Sequence, residues 1–160
     1  MKNFKIRKLK KSDYKQADCL LMKLHELHVK NRHDIFTPVK HYYTKKQWKK
    51  RMKDKNYIYY GMFDDEKLIG MIGMAFGKFN NIIIPQICAL YILPEYRSQH
   101  IAKRLMKKCQ KYCCKHFGNT SKFVSDYIEL NVCAFNKSAI EFYKKMGFNF
   151  RCHIMEYKFK

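Results

Sequence analysis

Hydrophobic and polar positions change their period several times along the chain, and each change predicts a new element of secondary structure. Alternating apolar residues indicate strands, and apolar residues spaced three and four apart indicate amphipathic helices. In chain order, the pattern predicts a strand over 4–9, helices over 12–31 and 44–52, strands over 57–63, 68–76 and 82–93, a helix over 99–117, a strand over 127–132, a helix over 136–146 and a strand over 148–159.

Turn-forming and helix-ending residues separate these elements. Residues 64–66 make the turn of a hairpin, and Pro85 predicts an interruption or bulge in the strand that contains it. Residues 118–119 end the third helix, and Gly147 takes the C′ position of the last one. The order predicts a single α/β domain over residues 1–160, built on a mixed, largely antiparallel sheet. The apolar stripes are Ala17, Leu20, Leu21, Leu24, Leu27 and Val29 in the first helix, and Ile101, Ala102, Leu105, Met106, Cys109, Tyr112 and Cys113 in the third.

The charge balance is strongly basic. The chain has 160 residues, and 34 Lys and Arg against 13 Asp and Glu give a formal net charge of +21. Such an excess predicts attraction to polyanions, which include nucleic acid, acidic membranes and phosphorylated ligands. A hydrophobic content of 47% excludes intrinsic disorder as the default state.

The cysteines and the chain start bear on the cellular compartment. Seven cysteines without a C-x-x-C pair are typical of small buried hydrophobes in a reducing compartment. The basic N-terminus lacks the apolar run of a signal peptide, and no apolar run reaches the ~20 residues of a membrane span. We therefore expect a cytoplasmic protein without a membrane partner.

Residues 90–102 combine a strand end, a tight turn and a helix start. The first turn of a helix leaves several N–H groups unpaired, and the helix dipole adds partial positive charge there. A pyrophosphate is the ligand that such a site favours. An ordinary strand-to-helix connection is the alternative interpretation.

Residues 136–148 carry two polar side chains on one helix face. Asn136 and Tyr143 are seven residues apart, which places them roughly 10 Å apart along the axis. That face can lie along an extended ligand, with an amide at one end and a phenol at the other. The alternative is a helix cap followed by a core tyrosine.

Together the two segments resemble the Gcn5-related N-acetyltransferase (GNAT) family. P-E-Y-R-x-x-x-I-A-x-x-L, which begins at Pro94, resembles its acetyl-CoA pyrophosphate loop, and N-x-x-A-x-x-F-Y-x-K-x-G-F, which begins at Asn136, resembles its other signature helix. The resemblance spans the whole chain and implies a GNAT-like fold with acetyl-CoA as the acetyl donor.

The resemblance also implies roles for individual residues. Arg97 and Ala102 match the first and last positions of the family's Q/R-x-x-G-x-G/A loop, and Tyr143 matches the residue that protonates the departing CoA thiolate. A backbone N–H near Ile92 would stabilise the oxyanion. The implied cofactor-binding residues are Tyr91, Ile92, Leu93, Arg97, Ser98, Gln99, His100, Ile101, Ala102, Lys103, Asn136 and Tyr143.

The sequence departs from the family at two places. His100 and Ser98 occupy positions where glycine is common, so a Cβ and an imidazole either obstruct the phosphates or donate to them. Cys88 and Ala89 stand where many relatives carry an acidic residue, so the general base is unassigned. Glu129 is a candidate for it.

Acceptor-binding residues are weakly indicated. In this family the first helix and the loop after it help to shape the acceptor pocket, and a polar helix face is the alternative. The spacing of the histidines lacks H-E-x-x-H, so we expect no metal site. The candidate acceptor residues are His25, His28, Asp34, Tyr43 and Glu129.

Two functions follow from these patterns. The first is acetyl-CoA-dependent N-acetylation of an unidentified primary amine, by a monomer or a homodimer. The scarcity of carboxylates argues mildly against polyamine and aminoglycoside acceptors. The alternative is a non-catalytic module of the same fold that binds CoA, or binds nucleic acid or the ribosome through its basic surface. We do not favour nucleic acid, because no stacking motif accompanies the lysines.

Overall fold

The computed structural model of the chain describes residues 4–117, 124–157 and 159. Its secondary structure follows the predicted order as far as the fourth long helix. The strands are β1 (Lys5–Lys8), β2 (Tyr57–Asp64), β3 (Lys67–Phe79), β4 (Ile82–Ile92) and β5 (Glu129–Leu130), and the helices are α1 (Tyr14–Asn31), α2 (Lys45–Arg51), α3 (Ile101–Phe117) and α4 (Lys137–Lys145).

The sheet is mixed and largely antiparallel, as predicted. Its strands lie in the order β1-β2-β3-β4-β5, and all neighbours are antiparallel except the pair β4 and β5. Every residue from Leu68 to Met74 of β3 is buried. Successive side chains of a strand point to opposite faces, so this run shows that both faces of β3 are covered.

Helices cover the two faces of the sheet. Tyr59 of β2 packs against Trp48 of α2, with ring centroids 5.3 Å apart. The next residue, Tyr60, lies beneath Lys108 of α3. Adjacent strand residues face opposite ways, so α2 and α3 lie on opposite sides of the sheet. The buried face of α3 consists of Ile101, Leu105, Met106 and Cys109.

A local signal accounts for the start of α2 but not for that of α1. Thr44 caps α2 in a reciprocal capping box with Gln47. Asp13 precedes α1, but its carboxylate bonds to Arg7 instead of capping the helix. Leu27, expected in the buried stripe of α1, is 37% exposed, because the buried residues of α1 all lie in its N-terminal half.

β4 contains the predicted bulge, but the bulge falls at Cys88, three residues beyond Pro85. Pro85 pairs with Phe76 without a break in register. Gly73 pairs with Ala89 while the next residue of β3, Met74, pairs with Ile87, which leaves Cys88 as the extra residue of a β-bulge. A proline lacks only one donor, and a strand tolerates it where that N–H is not needed.

The predicted strand over 148–159 is wrong. The residues of this segment that the structure describes, 148–157 and 159, form no strand, and Met155 is 93% exposed. The strand predicted over 127–132 shortens to β5. An alternating segment forms a strand only when it pairs with a neighbouring strand. Because β5 is only two residues long, it offers little backbone for such pairing.

Two further expectations have different outcomes. The cysteines are free thiols, but of the seven only Cys109 is buried, while Cys19, Cys88, Cys114 and Cys152 are exposed. An apolar stretch does not decide which face a given cysteine takes.

The helix stop predicted at 118–119 lies outside the described residues. Gly147 does occupy the C′ position of α4, with a φ of 91°.

Candidate active site

The candidate site begins where β4 leaves β5. The two strands pair in parallel at Gln86 with Glu129 and at Ile87 with Leu130, and the pairing ends there. The bulge at Cys88 follows directly, and a bulge bends its strand and increases the local twist. Beyond Ile87, β4 therefore runs beside an opening where a neighbouring strand would otherwise lie.

Backbone alternation decides which groups of β4 face this opening. The N–H of Leu93 donates to the carbonyl of Ile69 at 2.9 Å, so Leu93 faces β3. Successive residues of an antiparallel strand direct their backbone N–H and C=O groups to opposite sides. The backbone groups of Tyr91 therefore also face β3, whereas those of Leu90 and Ile92 face the opening. Of the three residues predicted to present backbone groups to a ligand, only Ile92 is so directed, and Leu90 joins it.

The segment between β4 and α3 is a tight loop. Pro94–Tyr96 forms one turn of 3-10 helix, and Ser98 and His100 have φ angles of 62° and 57°. This left-handed region favours glycine and costs other residues roughly 1–2 kcal/mol each. The loop thus keeps a glycine-type backbone although both positions carry side chains.

Side chains of the loop are anchored close to their own backbone. Arg97 Nε donates to the carbonyl of Ile92 at 3.2 Å, and its guanidinium lies 5.6 Å from the centre of the Tyr91 ring. Gln99 Nε2 lies 3.5 Å from the carbonyl of Glu95. The side chain of Arg97 therefore folds back onto β4, and that of Gln99 onto the 3-10 turn.

The first turn of α3 follows at once. The N–H of Arg104 donates to the carbonyl of His100 at 3.0 Å, which makes His100 the start of the helical ladder. The N–H groups of Ile101, Ala102 and Lys103 precede that first bond and have no helical carbonyl behind them. Ile101 is buried and anchors the turn, while Lys103 is exposed. The turn can bind an anion through backbone donors and the helix dipole.

The other side of the site is α4, which has well-defined ends. Asn136 Oδ1 accepts from the N–H of Ala139 at 3.3 Å, so its amide group caps the helix. At the other end, Gly147 N donates to the carbonyl of Lys144 and Phe148 N to that of Tyr143, both at 3.0 Å, in a Schellman motif. These caps fix α4 in length and direction.

Tyr143 lies on α4 towards the core. Its ring is 5.3 Å from that of Phe142 and 5.6 Å from that of Phe148. Burial raises the pKa of the Tyr143 phenol to about 12. The group is therefore a neutral proton donor over the ordinary pH range.

An open groove of about 2410 Å³ lies beside α4. It lies between the C-terminal half of α3, β5 and α4, and Tyr143 and Glu129 both line it. Glu129 Oε1 lies 3.4 Å from Gln86 Nε2, and its Oε2 forms an ion pair of 2.9 Å with Arg151. The only acidic residue proposed as a base thus has a cationic partner.

The structure brings two predicted acceptor residues together. His25 Nε2 lies 2.8 Å from the carbonyl of Thr37, and His28 Nδ1 lies 2.8 Å from that of Leu24. Both imidazoles lie against the ring of Phe36, at centroid distances of 6.2 and 5.0 Å. They form an aromatic wall and not a pair of free bases.

Two more acceptor candidates, Asp34 and Tyr43, lie away from the aromatic wall. Asp34 Oδ1 accepts from Arg32 at 2.9 Å, so it belongs to an exposed ion pair. Tyr43 lies beside the Tyr42 ring at 4.9 Å, and Tyr42 lies 5.9 Å from His25. Tyr43 therefore reaches the aromatic wall only through Tyr42.

Sequence reasoning missed the residue that holds this wall in place. Asp18 of α1 is buried and accepts from His41 Nδ1 at 2.8 Å, from Tyr42 N at 3.0 Å and from Tyr43 N at 3.3 Å. A carboxylate inside the apolar stripe, next to Ala17, was the available signal. Its partners lie more than twenty residues away and carry no periodic pattern.

Two further observations describe the candidate site. Across residues 4–117, 124–157 and 159, no three His, Cys, Asp or Glu side chains cluster closely enough to hold a metal ion. None of the helices in this part of the chain has the length and apolar character needed to cross a bilayer.

The architecture matches that of several solved structures. A mutant of the BH1408 protein from Bacillus halodurans superposes with a TM-score of 0.87 at 21% identity, over 98% of this chain and 99% of that one. AAC(6')-Iy, in complex with a CoA bisubstrate analogue, gives 0.70 at 13% identity over 99% of both chains. The ribosomal-protein-alanine N-acetyltransferase of Brucella melitensis gives 0.68 at 14% identity, over 98% of this chain and 99% of that one. The fold is the GNAT fold.

The family follows from the sequence itself. The profile described as "Acetyltransferase (GNAT) domain" matches residues 26–156, which is most of the chain. The protein belongs to this family. No protein with curated annotation matches the chain in sequence.

Proposed function

We propose that the protein transfers an acetyl group from acetyl-CoA to a primary amine. The observation that carries the proposal is the junction of β4 and α3. There, the outward backbone groups of Leu90 and Ile92 lead directly into the free N–H groups of a helix start. Acetyl-CoA has complementary groups in the same order. The amides of its extended pantetheine arm can hydrogen-bond to the strand, and its pyrophosphate can bind the helix start.

The loop residues fit the acetyl donor. The amides from Ser98 to Lys103 would hold the pyrophosphate, since the left-handed angles at Ser98 and His100 turn the backbone as glycines would. The amides of Ile101 and Ala102 belong to the first turn of α3. The side chains of Arg97 and Gln99 bond to the carbonyls of Ile92 and Glu95 instead of covering these amides. AAC(6')-Iy has been solved with CoA, which supports the same ligand for this fold.

The reaction needs two groups from the protein. The amine nitrogen attacks the thioester carbonyl carbon, the carbonyl oxygen takes up negative charge, and the N–H of Ile92 can donate to it. The carbon–sulfur bond then breaks, and Tyr143 gives its phenolic proton to the departing thiolate. The amine loses one proton to solvent, and solvent reprotonates Tyr143, so protons balance over the cycle.

Asn136 would orient the cofactor arm. Its Oδ1 is used in the cap of α4, which leaves the Nδ2 donors for the ligand. The cap therefore fixes the direction in which Nδ2 points. An amide held in this way can bind a pantetheine carbonyl without further ordering of the side chain.

Calorimetry with acetyl-CoA and with CoA tests the donor site directly. We expect dissociation constants below ~1 mM, on the order of the upper end of ordinary KM values. Lys103→Glu places a carboxylate in the first turn of α3 and should weaken binding about tenfold or more. Lys111→Glu makes the same charge change two turns further along α3 and should have a much smaller effect, because salt screens charges beyond ~10 Å.

Two results would contradict the proposal in different ways. Absence of binding to the wild type would remove acetyl-CoA as a ligand. Tight binding without CoA release in the presence of a broad amine panel would instead indicate a non-catalytic module of the same fold.

A further inference from the structure

Arg51 differs from the other arginines in its partners. Across residues 4–117, 124–157 and 159, no carboxylate forms an ion pair with Arg51. Its guanidinium carbon instead lies 3.8 Å from the centre of the Tyr57 ring and 5.0 Å from that of Tyr43. Arg7, Arg32 and Arg151 pair with Asp13, Asp34 and Glu129, whereas Arg97 and Arg104 donate to the backbone carbonyls of Ile92 and Phe4.

The position of Arg51 makes this difference relevant to the site. The register places Tyr57 level with Ala75 of β3, and Ala75 level with Gln86 of β4, next to the β5 junction. Burial raises the pKa of the Cys88 thiol and of the Tyr42 phenol, and the charge of Arg51 opposes that rise in both groups. Arg51 therefore lies on the face of the sheet that α2 covers, within electrostatic reach of the bulge.

Arg51 is also held in one orientation. It is half-buried, and the rings of Tyr43 and Tyr57 restrict its guanidinium. Tyr43 is fixed in turn by the bond from its N–H to Asp18 and by its contact with Trp48. A planar cation with several N–H donors, stacked and restrained in this way, is well suited to a carboxylate or phosphate.

The carboxylates near the site, unlike Arg51, are paired with cationic side chains or N–H groups. Asp18 is bonded to His41 and two backbone N–H groups, Asp34 and Glu156 to Arg32, and Glu129 to Arg151. A polycationic acceptor would have to displace these partners one by one. An acceptor with its own negative charge would meet an arginine that has no acidic partner among the described residues.

We propose that Arg51 binds an anionic group, a carboxylate or a phosphate, on the acceptor amine. The inference rests on the proposed function and names the class of its second substrate. An amine with an adjacent anionic group and an apolar or aromatic body would place its anion on Arg51 and its apolar body against the adjoining rings of Tyr43 and Tyr42. Polyamines and aminoglycosides do not fit this description.

Matched acceptor pairs test the proposal. Phenylalanine and phenethylamine differ in one carboxylate, and phosphoethanolamine and ethanolamine differ in one phosphate. For each pair, the ratio of kcat/KM values is measured by CoA release in the wild type, Arg51→Met, Arg51→Lys and Lys50→Met. Because each ratio is compared between variants at one pH, the basicity of the amines cancels.

We expect the wild type to favour the anionic member of at least one pair by tenfold or more. Arg51→Met should bring that ratio close to one, Arg51→Lys should keep part of it, and Lys50→Met on the same helix should keep all of it. The carboxylate pair and the phosphate pair distinguish the two anions. A ratio that is unchanged in Arg51→Met, with turnover intact, overturns the role of Arg51 and leaves the acetyltransferase proposal standing.

A binding measurement covers the case in which no amine of the panel is acetylated. Calorimetry of the acetyl-CoA-bound wild type and of Arg51→Met is run with N-acetylphenylalanine and with N-acetylphenethylamine. Tighter binding of the carboxylate by the wild type alone supports the inference, and equal binding in both proteins overturns it. Failure of acetyl-CoA itself to bind would count against the proposed function instead.

Discussion

Ser98 and His100, on either side of Gln99, both have φ angles in the left-handed region. The loop between β4 and α3 therefore bends as it would with glycine at both positions. Glycine pays no steric cost in this region. We therefore expect His100→Gly to raise the free energy of unfolding by about 1 kcal/mol, as measured by urea denaturation.

His100→Ala is the matched control for this substitution. It also removes the imidazole but keeps a Cβ, so it should give no such gain. Acetyl-CoA titration of the same two variants then separates the imidazole from the backbone. Weaker binding in both would identify the imidazole as a phosphate ligand, and tighter binding in both would identify it as an obstruction. An equal stability of the Ala and Gly variants would show that the loop is not strained at this residue.

Gly73 provides the space for the bulge of β4. A Cβ at Gly73 would lie 2.5 Å from Cε1 of Tyr59 and 3.1 Å from the Cys88 sulfur. Tyr59 is fully buried and cannot move aside easily. We expect Gly73→Ala to lower the free energy of unfolding by about 1–3 kcal/mol and to reduce acetyl transfer. Gly77→Ala, where no atom lies within 4 Å, should have little effect on either. Equal denaturation midpoints for the two variants would contradict this interpretation of the bulge.

Asp13 and Arg7 form the best-defined ion pair of the N-terminal region. Two bonds of 2.7 and 2.8 Å join them, and Asp13 also accepts from the N–H of Lys10. The bond from Arg7 holds the pKa of the Asp13 carboxyl below its usual value. We expect Asp13→Asn to lower the free energy of unfolding by about 2 kcal/mol at neutral pH. Asp65→Asn, in an exposed turn, should change it little.

The pH dependence of the Asp13 contribution has a definite sign. A carboxyl with a lowered folded pKa stabilises the protein above its ordinary pKa of 3.8, and the contribution disappears as the pH falls through the folded value. Denaturation curves of the wild type and Asp13→Asn should therefore converge in acid. A constant difference between the two proteins down to about pH 2 would exclude the ion pair as its source.

Tyr143 is expected to act as a proton donor. Tyr143→Phe should lower kcat on the order of 10²-fold with little change in acetyl-CoA affinity. Tyr60→Phe removes another buried phenol, whose pKa burial also raises to about 12, on the face covered by α3. It should leave kcat nearly unchanged, and similar losses in both variants would point to a packing effect.

The raised pKa of Tyr143 predicts two alkaline effects. The phenol stays protonated well above pH 10, so its ionisation should not lower the rate of the wild type between about pH 8 and 10. Above that range the unfolded tyrosine ionises first, so the wild type should lose stability between its ordinary pKa of 10.0 and about 12. Tyr143→Phe should lose less over the same interval. A kcat limb with a pKa below 9 that disappears in Tyr143→Phe would disprove the assigned value.

Much of the fold was predictable because its signals are local. Thr44 with Gln47 marks the start of α2, Gly147 marks the end of α4, and the apolar spacing of α3 identifies its buried face. Each of these features depends on residues within one or two turns of each other. The hairpin of β2 and β3 follows from a polar turn between two apolar runs in the same way.

The candidate site was predictable only in outline. The motif around Arg97 and the helix from Asn136 locate the two segments, because each segment is contiguous. The bulge at Cys88 depends on how β4 pairs with β3, and the failed strand over 148–159 depends on how much edge β5 offers. Pairing partners of this kind lie far apart in sequence, so no local pattern specifies them.

The sequence by itself determined the order of the elements, the family and the two segments that carry the proposed donor chemistry, since each depends on neighbouring residues. Only the tertiary structure decided that Leu90 and Ile92 face the opening. It also brought Asp18 to His41 and to the backbone of Tyr42, and it stacked Arg51 on Tyr57 with no carboxylate partner among the described residues. The physical reason is that hydrogen-bond direction and charge pairing depend on strands and loops that meet only when the sheet has formed.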